Sequence, residues 1–209
     1  MSDTQTGGSH LDDALNALRA GELVVFPTET FYGIAADAYS EKALARLVSV
    51  KGRELGKPIA LIAADPEMAF SLGREVPLVA RKLAEVFWPG PLTLVFPARA
   101  GLSPEIVGVD GVGVRVSSHP IARALSRGLG RPITATSANP AGGAPSRSTD
   151  EARSTCGSKI KVFVEGGSAN AGAASTVLVV LTTGRCKLIR EGAIGRAQIA
   201  EVIGLEALT

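Results

Sequence analysis

The fold of this chain is indicated most clearly by the stretch at residues 160–190, which reads IKVFVEGGSANAGAASTVLVVLTTGRCKLIR. It contains three apolar runs that are typical of strands, at 160–165, 176–181 and 187–190. Glycine-rich and turn-forming residues separate these runs, and the strands follow one another without strict alternation with helices. We therefore expect a mixed sheet with helices packed on it rather than a purely parallel, doubly wound sheet.

Outward from this stretch, the apolar pattern changes between helical and strand periodicity. Helices are predicted at 11–20, 41–50, 66–72, 77–87, 120–129 and 196–203, with a further short helix capped by Thr149, and strands at 22–26, 31–36, 58–63, 92–96, 112–116 and 132–136. The fold class is therefore α/β of the mixed, α+β-like kind, a twisted mixed sheet with flanking helices. With 209 residues and no repeat or linker, the chain is predicted to form one domain at 11–209. The polar residues 1–10 are predicted to be a disordered tail.

The composition excludes several classes of protein. Hydrophobic residues make up 45% and aromatic residues 4%, so we expect a core of aliphatic side chains. No apolar run reaches the roughly 20 residues that a membrane span needs, and the polar residues 1–10 are not predicted to be a secretion signal. Cys156 and Cys186 form no disulfide framework and are expected to be buried thiols in a cytoplasmic protein. Only two histidines are present, so no protein-held metal is predicted.

The charge distribution is more informative than the net charge of +2. Between Asp110 and Asp150 there is no acidic residue, whereas arginines occur at 115, 123, 127, 131 and 147. The arginines at 123 and 127 fit a solvated helix face or an anion-binding surface. Arg115 interrupts an apolar strand, where a charge is costly unless it is paired. Its partner is either a distant acid or the carboxylate or phosphate of a ligand.

Four polar clusters interrupt the apolar skeleton at strand ends or strand–helix junctions. The segment 27–33, PTETFYG, is either a turn with side-chain-to-backbone bonds or a substrate-facing bend. The segment 51–57 carries three cations after a helix, which suit either the helix dipole or a polyphosphate. The third cluster joins Arg115 to the SAN segment at 137–139, and the fourth joins residues 175–176 to the segment REGA at 190–193.

Together these clusters resemble the YrdC family of threonylcarbamoyl-AMP synthases. Seven family segments occur in order: PTETFYG at 27–33, KGR at 51–53, WPGPLT at 88–93, VRV at 114–116, SAN at 137–139, STV at 175–177 and REGAI at 190–194. The resemblance covers about residues 11 to 204. It implies a concave, positively charged cavity in which ATP, L-threonine and bicarbonate are converted to threonylcarbamoyl-AMP and pyrophosphate. The resemblance also implies that Mg²⁺ enters with ATP and that a downstream tRNA threonylcarbamoyl-transferase complex uses the product.

The resemblance also implies roles for individual residues. Thr28, Tyr32, Arg115 and Ser175 are expected on the threonine side of the cavity. Lys51, Arg53 and Arg115 are expected to be the catalytic residues. The ATP side is expected to include Lys51, Arg53, Lys57, Ser137, Asn139, Ser146 and Arg190. A second hypothesis keeps the same fold but makes the arginine-bearing segment 111–149 a surface for double-stranded RNA or tRNA, without ATP turnover.

Overall fold

The computed structural model describes residues 6–52, 58–139, 143–167, 169 and 172–209. Helices and strands alternate irregularly along the chain. Their order is α1 Thr6–Arg19, β1 Val24–Phe26, β2 Gly33–Ala35, α2 Glu41–Lys51, β3 Leu61–Ala63, α3 Pro66–Phe70, α4 Leu78–Phe87, β4 Leu92–Phe96, β5 Val107–Gly108, β6 Gly111–Val116, α5 Pro120–Leu129, β7 Ile133–Thr134, β8 Thr136–Ser137, α6 Thr149–Cys156, β9 Val162–Phe163, β10 Thr176–Val180, β11 Cys186–Arg190 and α7 Arg196–Ile203, followed by a 3₁₀ turn at Leu205–Ala207.

The strands form two mixed sheets, so the predicted fold class is confirmed. The smaller sheet has the order β8-β2-β1-β9, and the larger has the order β11-β10-β4-β6-β3-β7 with β5 added beside β6. In the larger sheet β4 and β10 are parallel and β3 and β6 are parallel, whereas β4 and β6 are antiparallel. In the smaller sheet β1 is antiparallel to β2 and parallel to β9, so each sheet contains both kinds of pairing, which no strict strand–helix–strand repeat produces.

The core is aliphatic, as its composition suggested. The larger cluster of buried side chains includes Leu44, Leu61, Leu83, Leu94 and Leu178, which are at most 1% exposed. A smaller cluster packs α1 and α5 against β1. Burial of apolar surface contributes roughly 25 cal/mol per Å², so these two clusters are the main stabilising feature of the fold.

Helix α2 ends where the chain approaches the cavity described below. The Ser40 hydroxyl caps its start by accepting from the amide of Ala43 at 3.2 Å. Gly52 ends it in the left-handed conformation at φ 57°, which costs glycine little. The last helical residue is therefore Lys51, whose position is set by the C-terminal cap.

Three predictions about the elements were wrong in detail, and one strand was not predicted. The segment 132–136 is not one strand, because β7 joins the larger sheet and β8 the smaller one. Helix α1 begins at Thr6 and so includes residues 6–10, since extending a helix costs less than nucleating one. The cap of α6 is Ser148, whose hydroxyl accepts from the Glu151 amide at 3.2 Å, and Thr149 is the first helical residue. Strand β5 was missed.

Within the described residues, no helix is long and apolar enough to cross a membrane. Cys156 and Cys186 are both buried free thiols, as predicted. Burial raises the pKa of Cys186 to about 11, so this thiol stays protonated at neutral pH.

Candidate active site

A cavity of about 740 Å³ lies between the two sheets. One wall comes from the segment after β1, from β2 and from β8, and the other from the segment before β3 and from β4, β6, β10 and the end of β11. Among the described residues that line it, three are cationic and none is acidic. Those cationic residues are Lys51, Arg115 and Arg190.

The register of the larger sheet decides which side chains reach the cavity. Val177 lies beside Thr93 and Val95 lies beside Gly113, and all four line the cavity. Because side chains alternate between the two faces of a strand, Arg115 points the same way as Gly113 on β6. The apolar strand therefore places its one charge on the cavity face.

The segment 27–33 is both a turn and a wall of the cavity. The Thr28 hydroxyl donates to the Phe31 carbonyl at 2.6 Å and accepts from the amides of Thr30 and Phe31, each at 3.2 Å. Thr28, Thr30 and Phe31 all line the cavity. The two interpretations of this segment are thus compatible, since the side-chain-to-backbone bonds shape the wall.

Tyr32 borders the cavity, but its hydroxyl binds the protein itself. The hydroxyl donates to the Gly167 carbonyl at 2.6 Å and accepts from the Thr149 hydroxyl at 3.0 Å. It therefore joins the cavity wall to the start of α6 and to the segment after β9. This contact makes Tyr32 a structural link as well as a lining residue.

Lys51 connects α2 to the loop after β8. Its ammonium group donates to the carbonyls of Ser137 at 2.8 Å and Asn139 at 2.5 Å, and the residue is buried. The predicted partners Arg53 and Lys57 lie outside the described residues. A buried ammonium group is tolerated when carbonyl oxygens replace its lost water, so these bonds hold the 137–139 loop against the helix end.

The other residues predicted on the ATP side differ in position. Ser137 and Asn139 line the cavity, and the Asn139 side-chain amide donates to the Gly143 carbonyl at 2.5 Å. Ser146 is buried and donates to the Ala138 carbonyl at 2.5 Å, and it is not among the lining residues. Ser146 therefore braces the loop that carries the other two.

Arg115 is paired with Glu29, a residue 86 positions away in the chain. The Arg115 Nε donates to Glu29 Oε1 at 3.0 Å, and the two side chains are 5% and 13% exposed. Ser117 donates from its hydroxyl to the second carboxylate oxygen of Glu29. The distant-acid alternative is thus correct for the Nε, while Arg115 also lines the cavity.

Arg190, at the end of β11, forms a direct contact with Ser175, which precedes the neighbouring strand β10. The Arg190 Nε and one terminal nitrogen donate to the Ser175 carbonyl at 3.1 and 2.8 Å, and that terminal nitrogen also reaches the Ser175 hydroxyl at 3.1 Å. Burial, with a further contribution from the charge of Arg115, lowers the pKa of Arg190. The two guanidinium groups therefore converge on the same region, which favours an anion there.

Comparisons with known proteins agree with this fold and cavity. The family model for Sua5, YciO and YrdC, described as "Telomere recombination", matches residues 16–192. This chain belongs to the Sua5/YciO/YrdC family.

Relatives in this family carry consistent names. A threonylcarbamoyl-AMP synthase of Pyrococcus abyssi is 39% identical over 193 residues, covering 91% of this chain and 56% of that protein. One of Vibrio vulnificus is 37% identical over 161 residues, covering 76% of this chain and 87% of that protein. The structure of P. abyssi Sua5 complexed with L-threonine matches with a TM-score of 0.88 at 38% identity, covering 93% of this chain and 57% of that one. This chain therefore spans slightly more than half of the Pyrococcus chains and most of the Vibrio protein.

The arginines of α5 and of the turn after it bind the protein's own acceptors. Arg123 donates to the Ser117 carbonyl at 2.5 Å, and Arg127 donates to the Ala64 carbonyl at 3.4 Å. Arg131 forms an ion pair with Asp37 at 2.9 Å. These contacts explain the arginines by packing and capping, and they do not favour the hypothesis of an RNA-binding surface.

Several residues that line the cavity were not among the predicted site residues, among them Thr30, Thr93 and Gly113. Glu29 was also missed as the partner of Arg115. One signal was available, since Glu29 is the single acid in the polar segment 27–33. A buried arginine needs a counter-charge, so an acid within a polar cluster is the first candidate.

His119 lies at the start of α5, near Glu29 and Arg123, and gives stability a dependence on pH. Its Nδ1 accepts from the Ile121 amide at 3.3 Å at the start of α5, which requires that nitrogen to be unprotonated. Burial is the main cause that lowers its pKa, with Arg123 adding to the effect and Glu29 and the Gly166 backbone opposing it.

Because the folded protein disfavours the protonated imidazole, the unfolded chain binds more protons as the pH falls below about 6.5. The free energy of unfolding should therefore decrease in that window. We expect His119→Asn, which keeps a capping acceptor, to lose less stability between pH 7.5 and 5.5 than the parent. Urea unfolding at both pH values measures this, and an equal loss in the two proteins would contradict it.

Proposed function

We propose that this protein is an L-threonylcarbamoyladenylate synthase, which forms threonylcarbamoyl-AMP and pyrophosphate from L-threonine, bicarbonate and ATP. The observation that carries the proposal is the convergence of Lys51, Arg115 and Arg190 on one cavity without acidic lining among the described residues. The names of the relatives and the threonine in the Pyrococcus structure support the same activity.

The reaction suits a site built from cations and hydroxyl groups. The amine of threonine adds to the carbon of bicarbonate, and loss of water gives a carbamate. A carbamate oxygen then attacks the α-phosphorus of ATP, and the bond to pyrophosphate breaks. No protein nucleophile is consumed, but several anionic groups must be held close together. Preorganised positive charges and correct positioning therefore supply most of the acceleration.

We assign the amino acid to the side of the cavity formed by Thr28, Arg115 and Ser175. A guanidinium fork suits the α-carboxylate, and hydroxyl groups suit the polar atoms of threonine. The nucleotide then lies toward Lys51, Ser137 and Asn139. Arg190 reaches Ser175 and therefore stands where the two substrates meet.

Mg²⁺ belongs to the substrate MgATP in this proposal. Because no carboxylate lines the described part of the cavity, the ion would be held by phosphate oxygens and water rather than by side chains. Its chemistry would be to neutralise charge on the leaving pyrophosphate. We further propose that the product passes to a tRNA threonylcarbamoyl-transferase complex in the cytoplasm.

The test is pyrophosphate release from ATP by the purified protein. Release should require both L-threonine and bicarbonate and should stop when Mg²⁺ is chelated. Amino acids are then compared one by one, with serine as the critical competitor because the missing methyl group is worth only about 1–3 kcal/mol. Salt-sensitive RNA binding without pyrophosphate release would instead favour the RNA-binding hypothesis.

Gly113 on β6 has no side chain and so leaves space at the cavity wall formed by the larger sheet. An added Cβ would meet the methyl groups of Val95 and Thr93 at 3.5 and 3.6 Å, which is ordinary contact, so Gly113→Ala should fold normally. The methyl group would occupy substrate space, and we expect kcat/KM for threonine to fall roughly tenfold, the usual effect of about one misplaced methylene. If the variant has the melting temperature and the kcat/KM of the parent, the substrates do not contact this part of the wall.

A further inference from the structure

We propose that Glu29 is a positioning residue, whose carboxylate directs the Arg115 guanidinium so that its two terminal nitrogens face the carboxylate of the amino-acid substrate. This inference rests on the proposed function. It concerns a residue that touches Arg115 rather than the reacting atoms, because Glu29 is not among the lining residues of the cavity whereas Arg115 is.

Glu29 is held from two sides by β6 and the residues after it. One carboxylate oxygen accepts from the Arg115 Nε at 3.0 Å, and the other accepts from the Ser117 hydroxyl. Ser117 is fully buried, and its hydroxyl also accepts from the His119 amide at 3.1 Å. The carboxylate therefore has a fixed place relative to the strand that carries Arg115.

The contact through Nε matters because a guanidinium group is planar. A bond at Nε restrains the rotation of the plane and uses the edge that carries the Nε hydrogen, and it does not use the edge formed by the two terminal nitrogens. Within the described residues, the hydrogen bonds of the Arg115 side chain are limited to this one bond to Glu29. The two terminal nitrogens thus form a fork that suits bidentate binding of a carboxylate.

The charge of Glu29 and its orienting bond to Arg115 have opposite effects on the binding of an anionic substrate. The negative charge of Glu29 repels an anionic substrate, whereas its bond to Nε orients the group that binds the anion. Glu29→Gln removes the charge but keeps an oxygen that accepts from Nε, and Glu29→Ala removes both. A positioning role therefore predicts that glutamine rescues the function that alanine loses, while a purely electrostatic role predicts no loss with either variant.

The experiment measures L-threonine affinity by calorimetry and KM and kcat by pyrophosphate release, with melting temperature recorded for every variant. We expect Glu29→Ala to raise the Kd for L-threonine at least ~10-fold, the size expected when one partner of a buried charge pair is truncated. The KM for ATP should change much less. Glu29→Gln should stay within about threefold of the parent for both substrates, because its geometry is kept.

Asp37→Ala is the matched control. Asp37 is a buried acid that also pairs with an arginine, Arg131, at 2.9 Å, but neither residue lines the cavity. We expect it to lower the melting temperature without changing threonine affinity. The proposal is overturned if Glu29→Ala binds threonine like the parent, or if Glu29→Ala and Asp37→Ala weaken it equally. Absence of threonine binding by the unaltered protein would instead overturn the proposed function.

Discussion

Replacement of Arg115 by alanine is expected to lower pyrophosphate release at least ~100-fold, which is the effect of removing one preorganised electrostatic group from an active site. The physical reason is that this guanidinium lies on the cavity face of β6 and is held by Glu29, so its charge is preorganised for an anion. We expect the KM for threonine to rise and kcat to fall, because the group binds the substrate and also orients it. Steady-state kinetics with threonine and bicarbonate present measure both.

The single variant leaves the Glu29 carboxylate without its partner, so folding must be controlled separately. The double variant Arg115→Met with Glu29→Gln removes both charges at similar volume and should melt near the parent while staying inactive. Arg131→Ala, which breaks an ion pair away from the cavity, should keep normal turnover. Near-normal turnover in a folded Arg115→Ala protein would show that the proposed site is wrong.

Replacement of Lys51 by alanine should have an effect of similar size, at least ~100-fold on turnover. Two losses combine in this variant: a positive charge at the cavity, and the two bonds that hold the carbonyls of Ser137 and Asn139. Because the 137–139 loop lies on the proposed nucleotide side, the KM for ATP should rise more than the KM for threonine. Pyrophosphate release as a function of each substrate measures the difference.

Lys159→Ala is a suitable control for the lysine variant. Its ammonium group donates to the Val50 carbonyl at 3.2 Å, near the same end of α2, but it is exposed and does not line the main cavity. Turnover should be unchanged in this variant. If Lys51→Ala raised both KM values equally, or left turnover within a few-fold of the parent, the proposed nucleotide side would be incorrect.

The class of fold was accessible from the sequence because most elements have clear apolar periodicity and clear ends. Helix α5, for example, begins at Pro120 and ends before Gly130, as proline and glycine predict. The division into two sheets was not accessible. Residues 132–136 have the composition of a single strand, and only the tertiary pairing of β7 with β3 and β8 with β2 separates them.

The candidate site was predicted in part. Lys51, Arg115, Ser137 and Arg190 were expected to converge, and they line one cavity. The contact between Glu29 and Arg115 joins residues 86 positions apart, so the single acid of segment 27–33 was a signal for a counter-charge but local pattern could not show the pairing itself. Ser146 was expected on the nucleotide side, and its hydroxyl donates to the Ala138 carbonyl in the loop that carries Ser137 and Asn139.

The chain passes from β7 to β8 through Ala135, and this passage connects the two walls of the cavity. These strands are edge strands of their respective sheets, so the chain joins the two walls covalently along one side of the cavity. Bonds of Thr134 with Ala36 and Ile34 reinforce that side. Because β8 pairs with β2 and β7 pairs with β3, a substitution at this junction would disturb both walls of the cavity at once.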